Sequence, residues 1–161
     1  MNNENIRIAL VVHSCDRYEF LYQGLTYAFQ KNWDFGIPCT FYLSTEEKKV
    51  TVPGFENIQA GKGAWADRFR FILTEKIKED YILFFQEDMW LTKKVNAKFF
   101  NALLKIVFER KWKMVKLHSS DVYKTIATPD YIEGFNVTKV NTDQSKFLFS
   151  HPNWMKIFAD F

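Results

Sequence analysis

Three stretches of this chain carry residue types that could do chemistry together. Gln86-Glu87-Asp88 sets two adjacent acids at the end of the hydrophobic run Tyr81-Ile82-Leu83-Phe84-Phe85. A carboxylate in that position needs a cation or hydrogen-bond donors to offset its desolvation. A divalent metal held through one or two carboxylates and completed by a diphosphate meets that need. The second stretch, His13-Ser14-Cys15-Asp16-Arg17, also follows an apolar run. It gathers backbone N–H groups, a carboxylate and a guanidinium, a set that suits a base edge, a ribose and a phosphate. The third is Gly61-Lys62-Gly63-Ala64-Trp65-Ala66-Asp67-Arg68. Its glycines admit close backbone approach, and Lys62 and Arg68 flank a helix start where an anion is favoured.

Each stretch also has a plainer reading. The acids of Glu87-Asp88 would then cap the helix that begins near Asn96. Ser14 or Asp16 would be an ordinary N-cap with Arg17 in solvent, and the glycine stretch an ordinary loop and cap. His13 at a strand end reads as structural. His118 lies beside Ser119, Ser120 and Asp121, and His151 precedes Pro152; the first is a site candidate and the second a late metal-ligand candidate. Cys15 has no evident partner base, which argues against thiol nucleophile chemistry.

These groups must be positioned by regular elements. Ile6 to His13 is a nearly continuous apolar run, the mark of a buried strand. Phe20, Leu21, Leu25, Ala28 and Phe29 recur at helical spacing over Tyr18 to Asn32. Thr40 to Leu43 and Asn57 to Gln59 read as short strands. Trp65 to Ile77 reads as a helix with Trp65, Phe69, Ile72, Leu73 and Ile77 on one face. Tyr81 to Phe85 is the strongest strand signal, and Val95 to Arg110 is an amphipathic helix with Phe99, Leu103, Ile106 and Val107 in phase. Met114 to Leu117 is a further short strand. From His118 to Gln144 the sequence reads as irregular apart from a strand at Phe135 to Val140, and Trp154 to Phe161 as a helical fragment. Strands alternating with helices predict an α/β class, a three-layer α/β/α sandwich with a mostly parallel sheet. In such sheets ligands bind at the carboxyl ends of the strands, where the first two stretches fall.

The 161 residues suffice for one domain, and 47% hydrophobic with 25% charged residues is a globular composition, not a disordered one. A net charge of +3, with no Lys run longer than a pair, argues against a nucleic-acid surface. Two cysteines make no disulfide framework and fit a reducing, cytoplasmic setting. The polar N-terminus reads as no signal peptide, and no apolar run approaches the ~20 residues that cross a bilayer. Aromatics at 18% are high, which points to an exposed groove or an oligomer contact. There is no G-x-G-x-x-G and no G-x-x-x-x-G-K-[ST], which argues against a Rossmann dinucleotide site and a P-loop.

The opening Ile8-Ala9-Leu10-Val11-Val12-His13-Ser14-Cys15-Asp16-Arg17-Tyr18 resembles the first strand and nucleotide-binding turn of GT-A-type glycosyltransferases. The order continues with Lys62-Gly63-Ala64-Trp65-Ala66-Asp67-Arg68, then with the strand ending in Gln86-Glu87-Asp88-Met89-Trp90-Leu91, and covers about residues 6 to 120. The closing Phe149-Ser150-His151-Pro152-Asn153-Trp154 is similar to that family's late segment. The resemblance implies a single GT-A-like domain over 1–161, with a donor-nucleotide part at 1–117 and a partial acceptor part at 118–161. It implies a metal-assisted transfer from a nucleotide-diphospho-sugar donor to a hydroxyl of a glycan or other acceptor.

Carried over by position, Asp88 is the metal contact, with His151 as a second ligand, and the ion is Mn²⁺ or Mg²⁺. Gln86 stands where an Asp is typical of the family. Ser14, Asp16, Arg17, Lys62, Trp65, Arg68, Gln86 and Glu87 face the donor, and Asp121, Asp130 and Glu133 are candidate bases. The family context implies a cytoplasmic setting, at the inner face of a membrane in many members, with no nucleic-acid partner. The alternative is a weak or inactive module of the same fold that binds a nucleotide sugar or carbohydrate; nucleotidyl transfer to a sugar phosphate ranks third.

Overall fold

A computed structural model describes residues 6–112, 115–117, 125–140 and 157–158. Four strands form a parallel sheet: β1 (Ile8–His13), β2 (Thr40–Thr45), β3 (Glu56–Gln59) and β4 (Tyr81–Gln86), in the spatial order β3-β2-β1-β4. β1 lies between β2 and β4, in register Val12↔Leu43 and Val12↔Phe85. All six of its residues are buried, which explains an apolar run without alternation.

Alternate residues of the strands feed two cores. Leu10, Val12, Leu83 and Phe85 point to one face, which is covered by α1 (Tyr22–Asn32) through Leu25 and Phe29 and by α3 (Ala97–Arg110) through Phe100 and Leu104. Ala9, Val11 and Phe84 point to the other, under α2 (Trp65–Phe71) and the π turn Ile72–Lys76 that continues it, through Phe69 and Ile72. The chain steps from β1 outward to β2 and β3, then back past β2 and β1 to β4. Right-handed crossovers in opposite directions put their helices on opposite faces, so α2 lies across the sheet from α1. The predicted α/β class, parallel sheet and two helical layers are present.

Several local expectations are corrected. The helix expected from Tyr18 begins as a 3-10 turn, Asp16–Leu21, whose N-cap Cys15 makes no side-chain capping bond. The predicted irregular region contains β6 (Thr125–Ile132), which pairs antiparallel with β7 (Phe135–Val140). Pro129 disguises β6 in the sequence, and it lies where the register shifts between Ala127 and Tyr131, a place where a strand tolerates proline. The hairpin turns at Glu133 and Gly134, both at positive φ (44° and 102°), as a two-residue loop requires. Ile157–Phe158 is not helical: as β8 it pairs in parallel with β5 (Val115–Lys116). α3 starts at Ala97, two residues after the expected Val95, because Asn96 caps it: the Asn96 side chain accepts the Phe99 N–H at 3.1 Å.

Candidate functional site

The sheet order reverses direction between β1 and β4. At such a switch point the loops leaving the two strands part to opposite sides and leave a crevice at the carboxyl edge. Ser14 follows β1 and Glu87 follows β4, one at each side of it. The neighbouring β1–β2 seam runs along the same edge.

In the β1–β2 seam the charged groups are met by the protein's own bonds, although His13 Nε2 and Arg68 Nε have no hydrogen-bond partner among the described residues. His13 is fully buried against Trp65 and Phe69 (ring centroids 5.0 and 5.2 Å), and its Nδ1 lies 2.7 Å from Ser44 Oγ. Burial first, and the Arg68 charge second, push the His13 imidazole down to about 4, so it is neutral at pH 7. Asp16 accepts three backbone N–H bonds from the loop after β2: Glu46 at 2.9 Å, Glu47 at 3.1 Å and Lys48 at 3.1 Å. Its own N–H donates to Glu46 Oε2 at 3.0 Å. Burial works to raise the Asp16 pKa, but the three N–H donors and the Lys48 charge outweigh it and hold the carboxyl below its ordinary value. Arg68 is buried beneath both turns. Its Nη1 donates to the Ser14 carbonyl at 2.9 Å, and its Nη2 is 3.8 Å from Glu46 Oε1. Arg68 Nε has no hydrogen-bond partner among the described residues. Asp16 and Arg68, expected to face the donor, thus tie the loops of the edge together.

The β1–β4 seam differs in holding a buried carboxylate that is in no ion pair among the described residues. The bond from Met89 N–H to the Gln86 carbonyl (3.0 Å) closes a turn with Glu87 and Asp88 at its corner. Glu87 is turned inward and buried, whereas Asp88 is exposed. Burial raises the Glu87 pKa. Its own N–H, the Ser14 hydroxyl and the Arg17 charge oppose that shift, and the Asp88 charge adds to it. Tyr22 donates its hydroxyl to Ser14 Oγ at 3.0 Å, which orients Ser14 at the crevice.

The other expected residues divide in two. Arg17 and Lys62 are exposed at this edge: Arg17 Nη2 donates to the Tyr18 hydroxyl at 2.7 Å, and Lys62 pairs with Glu47 at 2.9 Å. Trp65 is half-buried on His13, and Gln86 ends β4. Asp130 and Glu133 are not brought here. They pair with Arg110 and with Lys98 (2.9 Å) at the two ends of α3. That helix packs on Trp33 beyond the end of α1 and on Tyr81 at the start of β4. The candidate base Asp121, the candidate ligand His151 and His118 lie outside the described residues.

The sequence reading missed Glu46, Tyr22 and Trp90. Glu46 follows the last residue of β2, so the same strand-end rule could have flagged it.

A divalent cation fits the chemistry of this edge. Asp16, Glu19, Glu46, Glu47, Glu87 and Asp88 outnumber Arg17, Lys48, Lys62 and Arg68, so a diphosphate would meet net negative charge without one. Of these six carboxylates Asp16, Glu87 and Asp88 are in no ion pair among the described residues; Asp16 is met instead by three backbone N–H groups, which leaves Glu87, costly to ionise where it sits, and Asp88 beside it. Among the described residues no three His, Cys, Asp or Glu side chains converge as a preformed metal cage. Among known proteins, no family model, no curated protein and no solved structure matches this chain.

Proposed function

We propose that this chain is a GT-A-type glycosyltransferase domain that binds a nucleotide-diphospho-sugar at the β1–β4 crevice and transfers its sugar to a hydroxyl. The observation that carries the reading is the buried Glu87 carboxylate at the switch point, beside exposed Asp88 and the Ser14 hydroxyl. In this reading Asp88 holds Mn²⁺ or Mg²⁺, as the family resemblance implies, and the buried Glu87 beside it supplies a second carboxylate. The bound ion would draw the diphosphate to the carboxylates and offset the charge that develops as the sugar leaves. Ser14, fixed by Tyr22, orients the nucleotide at the crevice. Arg17 and Lys62, exposed at the rim, approach the phosphates. Arg68 acts at one remove, by holding the Ser14 carbonyl. The acceptor hydroxyl needs a base, and that role stays with Asp121.

A thermal-shift panel of nucleotide diphosphates and nucleotide sugars, with and without Mn²⁺, tests the reading. A ligand at 100 times its dissociation constant adds about 2.7 kcal/mol to stability. The expected result is a metal-dependent shift that Asp88→Ala removes. No shift with any nucleotide would overturn it. One observation favours the non-catalytic alternative: two of the three expected bases are paired on α3. Release of free sugar or transfer product from a bound donor separates an enzyme from a binding module.

A further inference from the structure

Trp90 is half-exposed (46%) yet firmly held. Its Nε1–H donates to the Glu87 carbonyl at 2.9 Å. Its ring lies on the backbone of α1 at Gly24, so close that a Cβ there would stand 2.3 Å from Trp90 Cη2 and 2.5 Å from Cζ2. Only glycine leaves room for this contact. An exposed aromatic ring on its own needs no explanation. An exposed ring that is immobilised is different, because a ligand stacking on it need not freeze the side chain first.

The surroundings narrow the choice of ligand. Trp90 follows the Glu87-Asp88 turn, and exposed Phe20 and Tyr27 stand about one helical turn to either side of Gly24. The strip is therefore apolar, with the exposed Asp88 carboxylate beside Trp90 and the Lys31 ammonium over the Tyr27 ring (5.6 Å) at its border. A carboxylate accepts hydrogen bonds from hydroxyls and an ammonium donates to them, whereas one lysine beside an acid makes no polybasic surface for anionic lipid. A neutral pyranose offers an apolar C–H face to the ring and hydroxyl donors to the border.

We propose that Trp90, seated on Gly24, is a stacking platform for a neutral pyranose. Naming that sugar as the acceptor rests on the donor-site reading above; the platform itself does not.

The test uses the full chain, ¹⁵N-labelled. Methyl β-glucopyranoside, methyl α-mannopyranoside and methyl N-acetyl-β-glucosaminide are titrated separately from the nucleotide panel. The Trp90 indole signal is assigned by its loss in Trp90→Phe. The expected result is that at least one pyranoside moves the Trp90 indole and Gly24 amide signals. Trp90→Ala should weaken that binding by roughly tenfold, the scale of one aromatic stacking contact. Gly24→Ala should weaken it too. Because alanine favours a helix more than glycine does, that loss would come from displacing the ring and not from unwinding α1.

The proposal is overturned if no pyranoside binds, if one binds without moving the Trp90 signal, or if both alanine variants bind as tightly as the wild type. It is also overturned if Trp90→Ala alters only sedimentation or vesicle association. Pyranosides that move Trp90 while no nucleotide binds would sink the donor reading and leave a carbohydrate site. Nucleotide binding without a pyranoside response would do the reverse.

Discussion

Along the carboxyl edge, the β1–β2 seam holds His13, Asp16, Glu46 and Arg68, and the β1–β4 seam holds Ser14, Glu87 and Asp88. In the first, each charge meets a donor or a counter-charge from the protein: Asp16 has three backbone N–H groups, and Arg68 has a carbonyl and the Glu46 carboxylate. In the second, Glu87 is buried against its own preference and Asp88 adds a like charge beside it. A charge that the fold satisfies is scaffolding. One that the fold buries without full compensation raises the energy of the unliganded state, and a cation would lower it. The difference assigns different jobs to two acids that look alike in the sequence.

Acid titration separates the seams most strongly at His13. Its folded pKa, about 4, lies below the ordinary 6.5. The unfolded chain therefore takes up a proton first as the pH falls. Stability from this group is complete above pH 6.5 and is lost as the pH drops toward 4, by about 3 kcal/mol in all. Urea denaturation of wild type and His13→Gln between pH 7.5 and 4.5 reads this directly, and the variant should lack that share of the slope. Equal slopes would mean that the imidazole can charge in place and that the β1–β2 seam is less closed than its hydrogen bonds indicate.

The next effect is at Asp16. Removing its carboxylate leaves three loop N–H groups to find water. For a partly exposed, charge-assisted cluster this costs about 2 kcal/mol. Asp16→Ala should therefore unfold at lower urea with an unchanged m-value. The folded pKa is depressed, so this contribution is present above the ordinary 3.8 and is lost as the pH falls below it. A variant of native stability that fails to bind nucleotide would reverse the assignment and return Asp16 to the ligand.

The parts of the molecule legible in the sequence were those whose burial is local. β1 and β4 announce themselves because both faces of each strand are covered, and α3 because its apolar positions keep helical phase. The Glu87-Asp88 pair was legible as an anomaly, two acids directly after a buried strand. Asp16 and Arg68 were recognised as charged residues near the edge, but their partners are a carbonyl and backbone amides. Such groups leave no side-chain signature. β6 was hidden because seven of its eight residues, all but Ile132, are exposed or half-buried and a proline interrupts them, so neither alternation nor an apolar run marks it. Its bonding partner, β7, was the only visible half of the hairpin.

The smallest expected effect has the opposite sign and decides the comparison. Glu87 has its pKa raised in the folded state, with burial as the main cause. Between the ordinary value of 4.5 and the folded one, the native protein holds the extra proton, so stability from this group falls as the pH rises through that window. Above that window the ionised carboxylate is a net cost, and there Glu87→Gln should raise stability by up to about 1 kcal/mol, a gain that fades below pH 4.5. The same variant should lose the Mn²⁺-dependent part of the nucleotide shift, because an amide cannot balance a cation's charge. Stability gained and ligand response lost in one substitution is what a functional acid predicts. A variant that loses stability at pH 7 would place Glu87 with Asp16, as one more tie in the scaffold.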